Sequence, residues 1–238
     1  MRAIILAAGR GERLRPLTDH TPKPLIEVGG KPLIVWHIEA LAAAGVRDIV
    51  INTAWLGEQF PALLGDGSRW AVRLHYSHEQ RDHGQALETA GGIATALPLL
   101  CADGDEAFWA VSGDIHAPDF RYDSAQAQAF VEGGRLAHLW MVPTQPAHPL
   151  GDFSIDGAGR AGATGEPRHV YGNIGLYRRA FFDQVRAGQR MPMRPCLDAA
   201  IAHAEVTAEL YPGRWVNVGN AELLAQARAL HGAVTGRD

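Results

Sequence analysis

Cysteine is scarce: there are two in 238 residues, Cys101 and Cys196. Two thiols cannot staple a disulfide scaffold, and neither has neighbours at metal-ligand spacing. Long apolar runs are missing as well, none approaching the roughly 18 residues of a membrane span. The short run Ala3–Ala8 is followed at once by Gly9 and Arg10, unlike a signal peptide. Neither sign of charge is in excess. Lys plus Arg number 22 against 26 Asp plus Glu, a net charge of −4, which argues against a protein held on nucleic acid or an anionic membrane by bulk charge. A local basic pocket for a phosphate stays open. Linkers, internal repeats and low-complexity segments are also lacking. What remains is 47% hydrophobic and 20% charged, enough to bury a large core. The expectation is a soluble, cytoplasmic, single domain over residues 1–238, with its oligomeric state left open.

Hydrophobic patterning gives the organisation. Ala3–Ala8, Asp48–Asn52 and Ala107–Val111 are apolar runs of strand length that read as buried parallel strands, and Val72–Tyr76 alternates like a strand. Between them, Lys31–Ala44, Gly57–Leu64 and Thr89–Leu100 read as helices, the first stopped by Gly45. Strands alternating with helices predict βαβ units in a doubly wound, mostly parallel α/β sheet of Rossmann-like kind. Such sheets bind ligands at the carboxyl ends of their strands, which directs attention to the segments after Ala8, Asn52 and Val111. The second half is less regular. It reads as a strand at Leu136–Val142, a hairpin around Asp156-Gly157, a strand at Tyr171–Tyr177 running into a helix at 178–185, helices at Pro195–Ala204 and Ala221–His231, and a frayed tail at 232–238.

The segment Leu6–Pro24 carries the strongest chemical signal. Glycines directly after a buried strand let backbone N–H groups approach an anion, and small Ala7 and Ala8 leave room for a flat base. Arg13, Arg15 and Lys23 add fixed positive charge in the same loop, which a polyphosphate needs for binding and for transfer. No Gly-Lys-Ser/Thr follows, so it is not a Walker loop. The third glycine of a dinucleotide fingerprint is missing too. Other features carry less. His75, His78 and His83 lie in a polar stretch without a fourth ligand and read as surface histidines. Trp36, Trp55 and Trp215 sit in apolar settings that suit core or pocket-wall roles.

The string from Gly9 to Pro24 resembles, without a gap, the signature of the sugar-1-phosphate nucleotidyltransferases, G-x-G-x-R-L-x-P-L-T-x-x-x-P-K-P. The similarity continues at Glu88-Thr89-Ala90-Gly91-Gly92, Ser112-Gly113-Asp114, Gly151-Asp152-Phe153, Asn173-Ile174-Gly175 and Arg214–Gly219. No hexapeptide repeat follows Val218, which excludes members with a C-terminal left-handed β-helix. Within the family the likeness is greatest to short bacterial uridylyltransferases of cell-wall recycling. That implies UTP and N-acetylmuramic acid 1-phosphate as substrates, Mg²⁺ as cofactor, and UDP-sugar plus pyrophosphate as products. Guanylyltransferases acting on mannose- or heptose-1-phosphate are the alternative, and a non-catalytic sugar-nucleotide sensor of the same fold is a further one.

The resemblance implies roles residue by residue. Ala7, Ala8, Gly9, Gly11 and Gly91 would bind the nucleotide, with Ser77 and Glu88 where relatives select the base. Arg13 and Lys23 would act on the phosphates during transfer. Asp114 would bind the metal together with Asn217, where the closest relatives usually carry Asp, so the site would have one negative charge fewer and weaker metal binding. Gly151, Asp152, Glu166 and Asn173 would contact the sugar, and Asn173 can both donate and accept toward an acetamido group. Many relatives carry Glu-Lys-Pro where this chain has Glu166-Pro167-Arg168, so the usual phosphate-binding lysine is absent and Arg168 is the expected substitute. Arg168 or His169 is also the expected partner of a sugar carboxylate. The nucleotide-binding half would span about 1–120 and the sugar-binding half about 136–220.

Overall fold

The computed structural model describes residues 1–232. The strands are β1 (Arg2–Leu6), β2 (Glu27–Val28), β3 (Lys31–Pro32), β4 (Asp48–Thr53), β5 (Arg73–His78), β6 (Ala107–Ser112), β7 (Ile115–His116), β8 (Ala137–Val142), β9 (Phe153–Ile155), β10 (Ala161–Gly162), β11 (Arg168–Arg178), β12 (Val206–Leu210) and β13 (Val216–Asn217). The helices are α1 (Leu17–His20), α2 (Leu33–Ala43), α3 (Gln59–Leu64), α4 (Glu79–His83), α5 (Glu88–Leu100), α6 (Ser124–Gly133), α7 (Met193–Ala202) and α8 (Ala221–Gly232).

β1 lies between β4 and β6, parallel to both, and β5 extends the sheet beyond β4, again parallel. On the far side of β6 the long β11 runs antiparallel, followed by β8 and then β12, which is parallel to β8. The chain therefore winds outward from β1 through β4 and β5, then returns to place β6 on the other side of β1. Connections leave β1 and β6 in opposite directions. A crevice opens where the two loops diverge at the carboxyl ends of such strands. The mostly parallel, doubly wound sheet expected from the sequence is present.

Alternation along each strand explains why both faces are covered. Ala3, Ile5, Ile49, Ile51, Trp109 and Val111 pack on one side with Ile34, Ile38 and Leu41 of α2 and Phe60 of α3. Ile4, Val50, Phe108 and Ala110 pack on the other with Ile93 and Ala96 of α5 and Leu197 of α7. A third, smaller cluster joins Leu14, Val28 and Leu33 to Val216, Val218 and Leu224. It ties the loop after β1, the β2–β3 hairpin, β13 and α8 into one unit beside the crevice.

Several segments differ from the sequence reading, and three show why. The helix expected at 178–185 is a single tight turn, because β11 runs to Arg178 and the bonds that follow are i→i+3, from Asp183 N–H to Ala180 O and from Val185 N–H to Phe182 O. Helix α6 has no counterpart in the reading. Only Ala127 and Phe130 are buried along it, too few to mark a periodicity, and its start is fixed by Asp123 accepting from Ala125 N–H at 2.7 Å. β12 was equally invisible, since Val206 and Ala208 are its only buried apolar residues. Of the tail expected to fray, 233–238 lies outside the described residues.

Candidate active site

The loop after β1 is held at its first residue. Ala7 N–H donates to Asn52 O at 3.2 Å and to Asn52 Oδ1 at 2.9 Å. Asn52 Nδ2 in turn donates to Glu79 Oε1 at 2.7 Å, and the second carboxyl oxygen of Glu79 accepts from Leu87 N–H at 2.7 Å. Glu79 is fully buried, and that burial raises its pKa against the lowering effect of the two hydrogen bonds. A Cβ on Gly92 would overlap both Glu79 Oε1 and Asn52 Nδ2, so helix α5 needs a bare backbone there to pass over the pair. Further along, Gly11 takes φ +70, and a Cβ on it would lie 2.9 Å from Thr18 Cγ2 while Thr18 Oγ1 donates to Gly11 O.

The cations of the loop divide into structural and open ones. Arg10 is committed: it donates to Thr18 O and Asp19 Oδ1 and lies 3.7 Å over the Trp55 ring. Arg15 also donates to Asp19, whose carboxyl the Arg10 hydrogen bond, ahead of Arg15, holds below the usual carboxylate range. Arg13 makes no hydrogen bond or ion pair with any described residue, and its guanidinium reaches toward Gly219. Lys23 Nζ is 2.6 Å from Asp114 Oδ2.

Two cavities adjoin in the crevice. The smaller, about 330 Å³, is walled by Leu6–Arg10, Lys23, Pro24, Asn52, Ala86, Glu88, Thr89, Ser112 and Asp114. The larger, about 740 Å³, is walled mainly by the second half of the chain, including Asp152, Phe153, Tyr171, Asn173, Arg194, Trp215 and Asn217, with Arg13 at one side. Leu6, Thr89 and Ser112 belong to both, so the ends of β1 and β6 form the seam.

Asp114 and Asn217 come together at this seam through the pairing of β7 with β13, in which Asn217 opposes Ile115 and Val218 N–H donates to Asp114 O at 3.0 Å. Asn217 Oδ1 is buried and has no hydrogen-bond partner among the described residues. An orphaned carbonyl oxygen, on a strand that pairs with the one following Asp114, offers with that carboxylate a hard, oxygen-only donor set of the kind Mg²⁺ takes. The residues present therefore fit a divalent cation. Among the described residues there is no group of three His, Cys, Asp or Glu that could hold a metal. His75 instead bonds Asp48, and His78 bonds Thr53.

Of the residues expected to meet the sugar, Asp152 and Asn173 line the large cavity. Asn173 stands at the bulge where the β11–β8 register shifts, with φ 56, a left-handed conformation that Asn tolerates better than most residues. Arg168 corrects the sequence reading. Its Nε, Nη1 and Nη2 donate to Leu150 O, Ala163 O and Asp152 O, so it clamps the β9–β11 junction and lines neither cavity. His169 pairs with Phe153 in the same ladder and is also off the wall. Among the expected site residues, Ala7, Ala8, Gly9, Lys23, Glu88 and Asp114 meet at the small cavity, and Arg13, Asp152, Asn173 and Asn217 at the large one. Gly11, Ser77, Gly91, Gly151 and Glu166 line neither. Gly91 is packed beneath the Gln189–Met191 segment, and Glu166 is exposed. Asn52, Glu79 and Arg194 were not anticipated; they belong to no contiguous motif.

Residues 2–166 match the family described as Nucleotidyl transferase. Over 236 residues the chain is 44% identical to N-acetylmuramate alpha-1-phosphate uridylyltransferase of Neisseria meningitidis, covering 98% of this chain and 99% of that protein. It is 35% identical over 185 residues to glucose-1-phosphate thymidylyltransferase of Actinoplanes, a match that covers 74% of this chain and 57% of that protein. Among solved structures, a Bacillus anthracis protein crystallised with sucrose and assigned to glucose-1-phosphate thymidylyltransferase superposes with a TM-score of 0.77 at 24% identity, over 97% of this chain and 95% of that one. HddC from Yersinia pseudotuberculosis gives 0.71 at 18% identity, over 96% and 98%. These two likenesses establish the fold.

Proposed function

This chain belongs to the nucleotidyl transferase family, and from that premise we propose that it transfers a uridylyl group from UTP to N-acetylmuramic acid 1-phosphate. The products are UDP-N-acetylmuramic acid and pyrophosphate, which suits a cytoplasmic step of cell-wall recycling. The reading is carried by one observation: two cavities that share a wall at Leu6, Thr89 and Ser112, with Asp114 and Asn217 at the seam. Similarity along almost the whole length to a uridylyltransferase of this sugar supports the choice of substrates. Every residue on the wall of the small cavity lies between Leu6 and Asp114, consistent with a nucleotide-binding half up to about residue 120. The sugar would be held by the second half, about 136–220, together with α8.

The chemistry needs little from side chains in the way of proton transfer. A sugar phosphate already carries an anionic oxygen, so no general base is required. The protein must instead hold that oxygen in line with the α-phosphorus and offset the repulsion between two anions. Ala8 and Gly9, on the wall of the small cavity, leave room there for phosphate. Arg13, without a hydrogen-bond or ion-pair partner among the described residues, is available to a phosphate. Lys23, now on Asp114, stands at the cavity wall where its ammonium can serve the departing pyrophosphate. Asp114 and Asn217 would hold the divalent cation, which when bound supplies neutralisation of phosphate charge.

The test is kcat/KM from pyrophosphate release with Mg²⁺ present, for UTP with N-acetylmuramic acid 1-phosphate against GTP with mannose-1-phosphate. A higher value for the first pair is expected. A higher value for the second would overturn the substrate assignment.

A further inference from the structure

The proposed sugar carries a group that most sugar phosphates lack, the carboxylate of its lactyl ether. Both cations expected to meet it are off the cavity wall, and Arg168 has all three nitrogens occupied by backbone carbonyls. Among the described residues two arginines line the large cavity, Arg13 and Arg194, and no lysine does. Arg13 stands beside Gly219, next to the Asp114–Asn217 seam, and is needed there for phosphate. Arg194 stands on the opposite element, in the first turn of α7.

Its surroundings hold the guanidinium without saturating it. The group lies 4.7 Å over the Phe153 ring, and Nε donates to Asp198 Oδ1 at 2.8 Å. Those two contacts fix the plane. Neither Nη has a hydrogen-bond partner among the described residues; besides Asp198, the acid facing the group is Asp152, whose Oδ1 lies 3.8 Å from Nη1, a long ion pair. Asp152 is itself provided for, since Tyr171 N–H donates to Oδ2 at 2.9 Å and His148 Nε2 is 3.1 Å from Oδ1. The open edge of Arg194 thus presents paired N–H groups to the cavity in the fork geometry that grips a carboxylate with two bonds. Met193, Leu197 and Tyr177 on the same wall offer an apolar surface for the lactyl methyl. We propose that Arg194 is the specificity-determining residue that reads the substrate's carboxylate. The inference rests on the substrate reading above.

The experiment measures kcat/KM at saturating UTP for N-acetylmuramic acid 1-phosphate and N-acetylglucosamine 1-phosphate, in the full chain and in Arg194→Gln and Arg194→Lys. In the wild type the lactyl sugar is expected to be preferred. Arg194→Gln should reduce the ratio between the two sugars by roughly 10- to 100-fold, the range for a hydrogen-bonded charge partner lost from a site open to water. The change should fall on the KM of the lactyl sugar. Arg194→Lys, which keeps charge but not the fork, should fall between. A second measurement needs only the wild type: replacing the lactyl carboxylate by its carboxamide should raise KM by a similar factor. If the wild type prefers the lactyl sugar and Arg194→Gln keeps the same ratio, Arg194 is not the reader and the substrate reading stands. A wild type without that preference would overturn both.

Discussion

Glu79→Gln tests whether the base of the small cavity is built on the buried Asn52–Glu79 pair. Both carboxyl oxygens of Glu79 accept, one from Asn52 Nδ2 and one from Leu87 N–H, each at 2.7 Å. Glutamine turns one acceptor into an NH₂ donor. Whichever way the amide points, a buried donor then faces a donor. Asn52 cannot turn to relieve the conflict without withdrawing Oδ1 from Ala7 N–H. An unsatisfied buried donor costs about 1–3 kcal/mol. Part of that is offset. Burial raises the pKa of Glu79, so its protonation contributes stability at low pH that is lost as the pH rises through the folded-state value, and Gln removes this cost at neutral pH.

The net loss expected at neutral pH is about 1–2 kcal/mol, which for a chain of this size lowers Tm by roughly 2–8 °C. The functional effect should be selective. Ala7 and the Leu87–Glu88 segment, the two ends of the hydrogen-bonded chain, stand at the small cavity, and the large cavity depends on neither residue's hydrogen bonds to the pair. KM for the nucleoside triphosphate should therefore rise several-fold while KM for the sugar phosphate changes little. Thermal unfolding and steady-state pyrophosphate release read the two effects. A variant whose Tm is unchanged within 1 °C and whose nucleotide KM matches the wild type would refute the reasoning.

Asp114→Asn should lower kcat by more than about 100-fold while Tm moves by only a few degrees, because it removes the carboxylate of the proposed cation site; turnover within threefold of wild type would take Asp114 out of the site. Asn217→Asp puts a second carboxylate where a buried carbonyl now lacks a partner among the described residues. Its Tm difference between Mg²⁺ and EDTA should exceed that of the wild type, and an equal difference would mean residue 217 is not a ligand. Asp48 is held down to about 2, chiefly by its hydrogen bond to Arg73. Its share of stability is present at neutral pH and is lost as the pH falls from about 4 through 2. With Arg73 largely exposed this is about 1 kcal/mol, read as a flatter dependence of the urea midpoint on pH in Asp48→Asn.

What the sequence made legible was local. The apolar run of β1 and the loop to Pro24 are contiguous, and their residues meet at one cavity because neighbours in sequence stay neighbours when a strand turns sharply into a loop. The signature singles out Arg13 over Arg10 without giving the reason. The fold supplies it: Trp55, Thr18 and Asp19 occupy Arg10, while Arg13 has no partner among the described residues. The Asn52–Glu79 pair was illegible for another reason: it joins positions 27 apart, and a buried acid looks like any other until its partners are placed. Arg168 misled for the converse reason, standing beside the sugar segment in sequence while the β9–β11 junction turns its guanidinium to backbone carbonyls.

The split between the two cavities explains why reaction class and substrate are unequally written in the chain. The small cavity is drawn from the loops after three parallel strands and the start of α5, all positioned by β1, β4 and β6 at the centre of the sheet. On the proposed function, a change there would disturb phosphate binding whichever sugar is used. The large cavity is assembled from separate segments, around Asp152–Phe153, Tyr171–Asn173, Met193–Leu197 and Trp215–Asn217, each contributing a few side chains. No short motif can encode such a wall. One substitution on α7 can alter what the cavity accepts while Leu6, Ser112 and Asp114 keep their places, since α7 packs on the sheet through Leu197, Ala200 and Ile201 and leaves Arg194 half exposed at its start. Sugar preference can thus change at Arg194 without rebuilding the transfer seam, and this is why the paired-sugar ratio, rather than overall turnover, is the quantity that tests it.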